Sequence, residues 1–148
     1  MTARTYTFPM HLLARLTTIL FAAGLCVATH ADDRLACAPD TYLELKSLAS
    51  LPVEVRFALE HAPHEGSELS DRGGPFNVGD VGGGPFRRFV LAAMGTSRLI
   101  VSLEHGGVGY GVEAWTFTHG ATGWVGQKTN PLIAMPNSAR DLVGLVCK

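Results

Sequence analysis

Two glutamates in the C-terminal half of the chain, Glu104 and Glu113, carry carboxyl groups that can act as a general acid and a general base. Glycosidases use two carboxylates about 5 to 9.5 Å apart. A two-residue turn at Gly106 and Gly107 would place both glutamates on one face of a hairpin, with Glu113 four residues beyond the position opposite Glu104. At about 3.3 Å per residue that spacing is about 13 Å. The pattern therefore argues against a glycosidase pair.

Histidines are the next candidates for chemistry, because zinc sites use several converging histidine, cysteine or carboxylate ligands. Pro63 separates His61 from His64, so these two do not share a regular helical face. We interpret them, together with His105 and His119, as solvated loop residues. No metal ion is predicted.

Two further catalytic patterns fail on geometry. Ser102 and His105 point to opposite faces of a strand, which excludes a hydrolytic triad with Glu104. The glycine-rich segment 105–111 has no lysine and leads into a strand, so it lacks the helix N-terminus of a phosphate loop. The sequence predicts no catalytic residue and no cofactor.

The same two-residue turn predicts a binding surface. It makes one face of the hairpin apolar and gathers Arg98, Glu104, Glu113 and Trp115 on the other. Tryptophan and arginine often dominate the binding energy of protein interfaces. We expect these four residues to contact a protein partner. The alternative is that Trp115 belongs to the core, covered by the Gly-Pro-Phe loop.

The N-terminus has the charged and then apolar order of a secretory signal peptide. Arg4 and Arg15 precede an apolar run of thirteen residues, 16–28, which is shorter than the roughly 20 residues needed to span a membrane. Small residues at Thr29 and Ala31 indicate cleavage after Ala31. The sequence predicts a signal peptide over 1–31 and no stable membrane anchor after cleavage.

Residues 32–148 have the length of a single globular domain. Two of the twelve cationic residues precede Asp32 and all thirteen acidic residues follow Ala31, so the formal net charge of this part is −3. There is no basic excess to suggest nucleic acid. Cys37 and Cys147 are the two cysteines left after cleavage, and an oxidising compartment favours a disulfide that joins the two ends.

The pattern of apolar, capping and turn residues over 39–143 predicts the secondary-structure elements. Residues 39–50 have a capping-box spacing at Thr41 and Glu44 and are predicted to be helical. The apolar residues of 52–62 fit both the two-residue period of a strand and the 3.6-residue period of a helix. Pro52 favours the helix. A long loop over 61–86 follows. Four strands (87–94, 98–104, 108–118 and 123–129) then precede a short helix over 138–143 with Asn137 as its cap.

These elements predict an α+β fold, in which an antiparallel meander of about four strands carries helices on one face and a disulfide joins the ends. For function we expect an exported, periplasmic or secreted, non-catalytic domain that binds a protein or envelope partner, as inhibitors and immunity proteins do. The alternative is a small envelope hydrolase with its site in the 61–86 loop.

Overall fold

Four long antiparallel strands of the second half of the chain form the centre of the protein. The computed structural model describes residues 42–62, 68–79, 81–129 and 131–147. The central strands follow one another in sequence and pair with their neighbours: β3 Arg87–Met94, β4 Arg98–His105, β5 Gly111–Gly120 and β6 Gly123–Lys128. The predicted meander is therefore confirmed.

Two short strands extend the sheet beyond β3. Strand β1, Leu43–Leu45, pairs antiparallel with β3, and β2, Leu69–Ser70, pairs parallel with Arg87 and Arg88. Among the described residues the main order is β1-β3-β4-β5-β6, with β2 beside β3. The described fold is α+β, with an antiparallel sheet to which β2 adds one parallel pairing.

Both faces of the central strands are apolar. Residues 99–104 of β4 are all buried, and consecutive residues of a strand point to opposite faces. In β3, Val90 is the extra residue of a β-bulge, because Phe89 pairs with Leu103 whereas Leu91 pairs with Ser102. Such a sheet has to be covered on both sides to keep water from its apolar side chains.

The first face is covered by helix α1, Val53–Glu60, and by the 3-10 turn Leu48–Ser50 before it. Val55 and Leu59 of α1 are fully buried against the sheet. Their cluster contains Leu48, Leu51, Phe89, Ala92, Leu99, Val101, Leu103 and Phe117. The preference for a helix over 52–62 is therefore confirmed.

The second face is covered by helix α2, Ala139–Val146. Ala139, Leu142 and Val143 pack against four sheet residues, Leu91, Ala93, Ile100 and Ala114. The prediction that the helices share one face is therefore wrong. The physical reason is that both faces of β3 and β4 are too apolar to be exposed to water.

Two local predictions also differ from the structure. Residues 43–45, predicted as helix, form β1, because pairing with β3 outweighs the local capping signal. Glu44 instead accepts a hydrogen bond from the amide of Ala139, 2.8 Å away, at the start of α2. Ser138, and not Asn137, caps α2 by accepting from the amide of Asp141 at 3.2 Å.

Several predictions lie outside the described residues. The signal peptide over 1–31 and Cys37 are among them, so the cleavage site and the Cys37–Cys147 bridge remain predictions. Cys147 is the residue that ends α2. All described residues belong to one compact unit of the chain, residues 31–148.

Candidate functional site

The strand register separates the four residues predicted to form one binding surface. Glu113 lies opposite Leu103, where the two-residue turn had placed it opposite Ile100. The hairpin connection spans residues 106–110 instead of two residues, which shifts the register by three. An odd shift exchanges the faces. Glu113 and Trp115 therefore lie on the first face, with Arg98 and Glu104 on the second, and the predicted common surface is wrong.

Glu104 is the centre of a polar cluster on the second face. Its side chain is 8% exposed, and the Nε atom of Arg88 donates to its Oε2 at 2.6 Å. The hydroxyl of Tyr110 donates to Oε1 at 2.9 Å. The ring of Phe76 packs on Arg88, with the guanidinium carbon 4.6 Å from the ring centroid, and meets Tyr110 edge-on at 6.3 Å. We call these four residues the Glu104 cluster.

The cluster keeps its charges fixed. The hydrogen bond to Glu104 raises the pKa of Arg88 above its ordinary value, so the guanidinium stays charged. Burial raises the pKa of the Tyr110 hydroxyl, and its hydrogen bond to Glu104 raises it further, so Tyr110 stays a donor. Glu104 therefore accepts hydrogen bonds from two groups that keep their protons.

Glu113 has a matching arrangement on the first face. Its side chain is 3% exposed, and the Nζ atom of Lys128 lies 2.7 Å from Oε2. The indole Nε1 of Trp115 donates to Oε1 at 3.0 Å. In each of the two buried glutamates, one oxygen faces a cation and the other an aromatic donor. Because they lie on opposite faces, the two carboxylates cannot act together on one bond.

The described histidines are engaged in packing. The ring of His61 stacks on Phe57 at 4.0 Å, and that of His119 meets Trp124 edge-on at 5.0 Å. His105 packs so closely on Gly111 that a Cβ atom there would overlap the imidazole. His64 lies outside the described residues. Within the described ranges no group of three or more His, Cys, Asp or Glu side chains is arranged to hold a metal ion.

Two adjoining loops at the far end of β4 carry exposed apolar side chains. We call residues 76–79, 81–86 and 106–110 the loop end. Its exposed residues, with their exposed fractions, are Val78 (56%), Val81 (85%), Val108 (99%) and Tyr110 (52%). Water contact with large apolar side chains is unfavourable, so this group is a candidate contact surface.

The loop end is held in place by backbone contacts. The amide of Asn77 donates to the carbonyl of Pro85 at 2.9 Å, and the amide of Gly106 donates to that of Phe86 at 2.8 Å. Gly106 approaches Asn77 so closely that a Cβ atom would overlap its carbonyl oxygen. The Glu104 cluster then anchors Phe76 in one loop to Tyr110 in the other. The two loops are therefore tied together at their bases, below the exposed apolar side chains.

A cavity of about 290 Å³ opens beside the Glu104 cluster at the end of the second face. We call it the arginine cavity. Its polar lining comes from Arg72, Arg88, Glu104 and Asn137, and its apolar wall from Phe89, Val90, Met135 and Pro136.

A second depression, of about 500 Å³, runs along the outer side of α2 and shares Met135 and Asn137 with the arginine cavity. We call it the α2 groove. Arg140, Asp141, Gly144 and Leu145 contribute the helical side of its lining. The two depressions are adjacent because Met135 and Asn137 border both.

Sequence reasoning missed Arg72, Arg88, Phe76 and Tyr110. One signal was available for Tyr110: a segment with glycines at 106, 107, 109 and 111 is a poor strand, which points to a longer loop that exposes its apolar residues. No local signal joined Arg88 to Glu104, since their contact depends on strand pairing.

The fold and the site define a small α+β domain with two covered sheet faces, a fixed apolar loop end and an arginine-lined cavity. No helix within the described part of the chain has both the length and the apolar character to cross a membrane. No protein-family model matches the chain, and neither curated proteins nor solved structures compared with it give a match.

Proposed function

We propose that this chain is an exported, non-catalytic domain that binds a protein partner outside the cytoplasm, as inhibitors and immunity proteins do. The loop end is the proposed contact surface. The observation that carries the proposal is the exposure of Val78, Val81, Val108 and Tyr110 on loops that backbone hydrogen bonds tie together at their bases.

Fixed loops favour binding for an entropic reason. A partner gains from burying the apolar side chains, at roughly 25 cal/mol per Å² of apolar surface. The ordering of mobile loops would subtract from that gain. The hydrogen bonds of Asn77 and Gly106 order the loops before binding, so little of the gain is lost.

The four residues predicted from the sequence enter this proposal differently. Glu104 contributes indirectly, because it holds Tyr110 in position. Arg98 begins β4 at the end away from the loop end, while Glu113 and Trp115 lie under α1 on the first face. Direct partner contact by these residues remains a prediction.

A capture experiment tests the loop end. The exported, oxidised protein is immobilised and exposed to the envelope and secreted fractions of its native source. We expect one stoichiometric protein to be retained. The double variant Val81→Glu/Val108→Glu introduces two charges at the loop end and should weaken the affinity for the purified partner about tenfold or more, since desolvating a charge is costly.

Val125→Glu is the matched control, because Val125 is 65% exposed but lies on β6, away from both loops. Its affinity should equal that of the unaltered protein. Equal binding by the loop variant would reject the loop end as the contact surface. Turnover of an envelope polymer by the purified protein would favour the hydrolase instead.

Export has two covalent consequences that can be measured separately. The mature chain should begin at Asp32 and contain a Cys37–Cys147 bridge. Intact mass of the exported protein tests the first. Alkylation of the unfolded but unreduced protein tests the second, and two labelled thiols in fresh material would rule the bridge out.

A further inference from the structure

We infer that the arginine cavity binds the carboxylate of a glutamate or aspartate side chain on a peptide, and that the residues flanking this side chain lie in the α2 groove. The inference is separate from the proposed contact at the loop end. It concerns a different set of side chains and can succeed or fail independently.

The charges that line the cavity carry the first step. Arg72 and Arg88 contribute two positive charges and Glu104 one negative charge, which leaves an excess of one positive charge. Arg88 and Glu104 neutralise each other through the 2.6 Å contact. Arg72 is exposed, and its guanidinium makes no hydrogen bond or ion pair within the described ranges, although its charge also acts on Glu44. The cavity therefore offers one exposed cation, without a hydrogen-bonded counterion, to a ligand.

Arg88 is positioned to add hydrogen bonds to that charge. Its Nε donates to Glu104, its Nη1 lies 3.5 Å from the carbonyl oxygen of Gly74, and Phe76 packs on the guanidinium. Its Nη2 makes no hydrogen bond within the described part of the chain. A guanidinium held in this way has donors left for a carboxylate and loses little freedom on binding one.

The same charges favour a carboxylate over a phosphate. A phosphate group carries close to two negative charges at neutral pH, more than the single excess charge of the cavity can balance. Glu104 would also repel the second charge. A side-chain carboxylate carries one charge, and its methylene stem fits the apolar wall formed by Val90, Met135 and Pro136.

The α2 groove extends the site to a peptide. It begins at Met135 and Asn137, where the cavity ends, and reaches Gly144 and Leu145 along the helix. Met135 is 40% exposed there. A Cβ atom at Gly144 would have no heavy atom within 4 Å, so the groove is open at this point. Residues on either side of a bound glutamate can lie in this space.

Amide chemical shifts of the isotope-labelled exported protein test the inference. The probe is the peptide acetyl-Ala-Ala-Glu-Ala-Ala-amide, and its glutamine counterpart is the neutral control. We expect the glutamate peptide to shift the amides of Gly73, Val90 and Asn137, and those of Gly144 and Leu145. The glutamine peptide should bind about tenfold more weakly, because it lacks the charge.

Two variants separate the cavity from the groove. Arg72→Gln should weaken binding of the glutamate peptide about threefold to fivefold, with Arg56→Gln, a half-exposed arginine on α1, as the unaffected control. Gly144→Leu should fill the groove and lower the affinity for the peptide to that for acetyl-Glu-amide, which carries the same single carboxylate.

Three results would overturn the inference: cavity amides that do not shift with the glutamate peptide, equal affinity for the glutamine peptide, or tighter binding of inorganic phosphate. Affinity for acetyl-Glu-amide equal to that for the peptide would reject the groove. None of these results depends on capture of a partner by the loop end, so the two proposals fail separately.

Discussion

Lys128 and Glu113 form an ion pair between the two last strands, with the ammonium nitrogen 2.7 Å from a carboxylate oxygen. The lysine side chain is 44% exposed, whereas that of the glutamate is only 3% exposed. The buried charge is thus balanced by a cation at the surface and by the indole of Trp115. Glu104 on the opposite face has the same kind of partners, Arg88 and Tyr110.

Replacement of Lys128 should destabilise the fold. Lys128→Met leaves Glu113 buried with the indole donor but without the cation, and we expect a loss of about 1 to 3 kcal/mol in the free energy of unfolding. Urea denaturation measures it. The double variant Lys128→Met/Glu113→Gln should recover at least half of the loss, because no charge is left buried.

Lys46→Met is the control for this prediction, since Lys46 pairs with Glu44 at 3.1 Å while 69% exposed. It should change the stability by no more than about 0.5 kcal/mol. Equal stabilities of the Lys128 and Lys46 variants would show that water, and not Lys128, balances Glu113.

Trp115 should act as a core residue. It packs against the first-face cluster and stacks on Phe117 with ring centroids 6.3 Å apart. Trp115→Ala should cost about 2 to 4 kcal/mol, since it leaves a cavity. Trp115→Phe keeps the ring and loses the hydrogen bond to Glu113, so about 1 kcal/mol is expected. A stable, well-folded alanine variant would instead support the original prediction that Trp115 is a surface contact.

Gly106 should tolerate no side chain. Its Cβ atom would overlap the carbonyl oxygen of Asn77, so Gly106→Ala has to move one loop of the loop end and should cost about 1 to 3 kcal/mol. Gly109 is three residues further on, and a Cβ atom there meets nothing within 4 Å. Gly109→Ala should change the stability by no more than about 0.5 kcal/mol. Similar urea midpoints for the two variants would contradict the contact between the loops.

Glu44 should make stability depend on pH. The hydrogen bond from the Ala139 amide, followed by that from Lys46, lowers the pKa of Glu44 below its ordinary value of 4.5. A lowered pKa stabilises the fold above the pKa of the unfolded chain, and this contribution is lost as the pH falls through the pKa of the folded state. The stability difference between the unaltered protein and Glu44→Gln should therefore be larger at pH 7 than at pH 3.

The exposed glutamate at position 68 supplies the control. Glu68→Gln removes the same charge without a described capping contact, and its thermal unfolding is measured at the same two pH values. A change with pH for Glu44→Gln no larger than that for Glu68→Gln would argue against the role of Glu44 at α2.

Much of the fold could be read from local pattern. Arg87–Met94 has the bounds predicted for the first long strand, and the others differ by a few residues at their ends. Residues 53–60 form the helix that Pro52 favoured. These elements are predictable because β propensity and helix capping act between residues close in sequence. Leu43–Leu45 is the exception, since its conformation comes from pairing with a strand that begins more than forty residues later.

The sequence by itself determined which residues are charged, aromatic or apolar, and it placed Glu104, Glu113 and Trp115 in strands, where the structure has them. Only the tertiary structure decided which residues these side chains contact. The five-residue connection over 106–110 sets the register, and a register shifted by three positions sends Glu113 to the face opposite Glu104. Face and partner depend on a loop length that no local propensity fixes, which is why Arg88, Tyr110 and the arginine cavity emerged only from the packed chain.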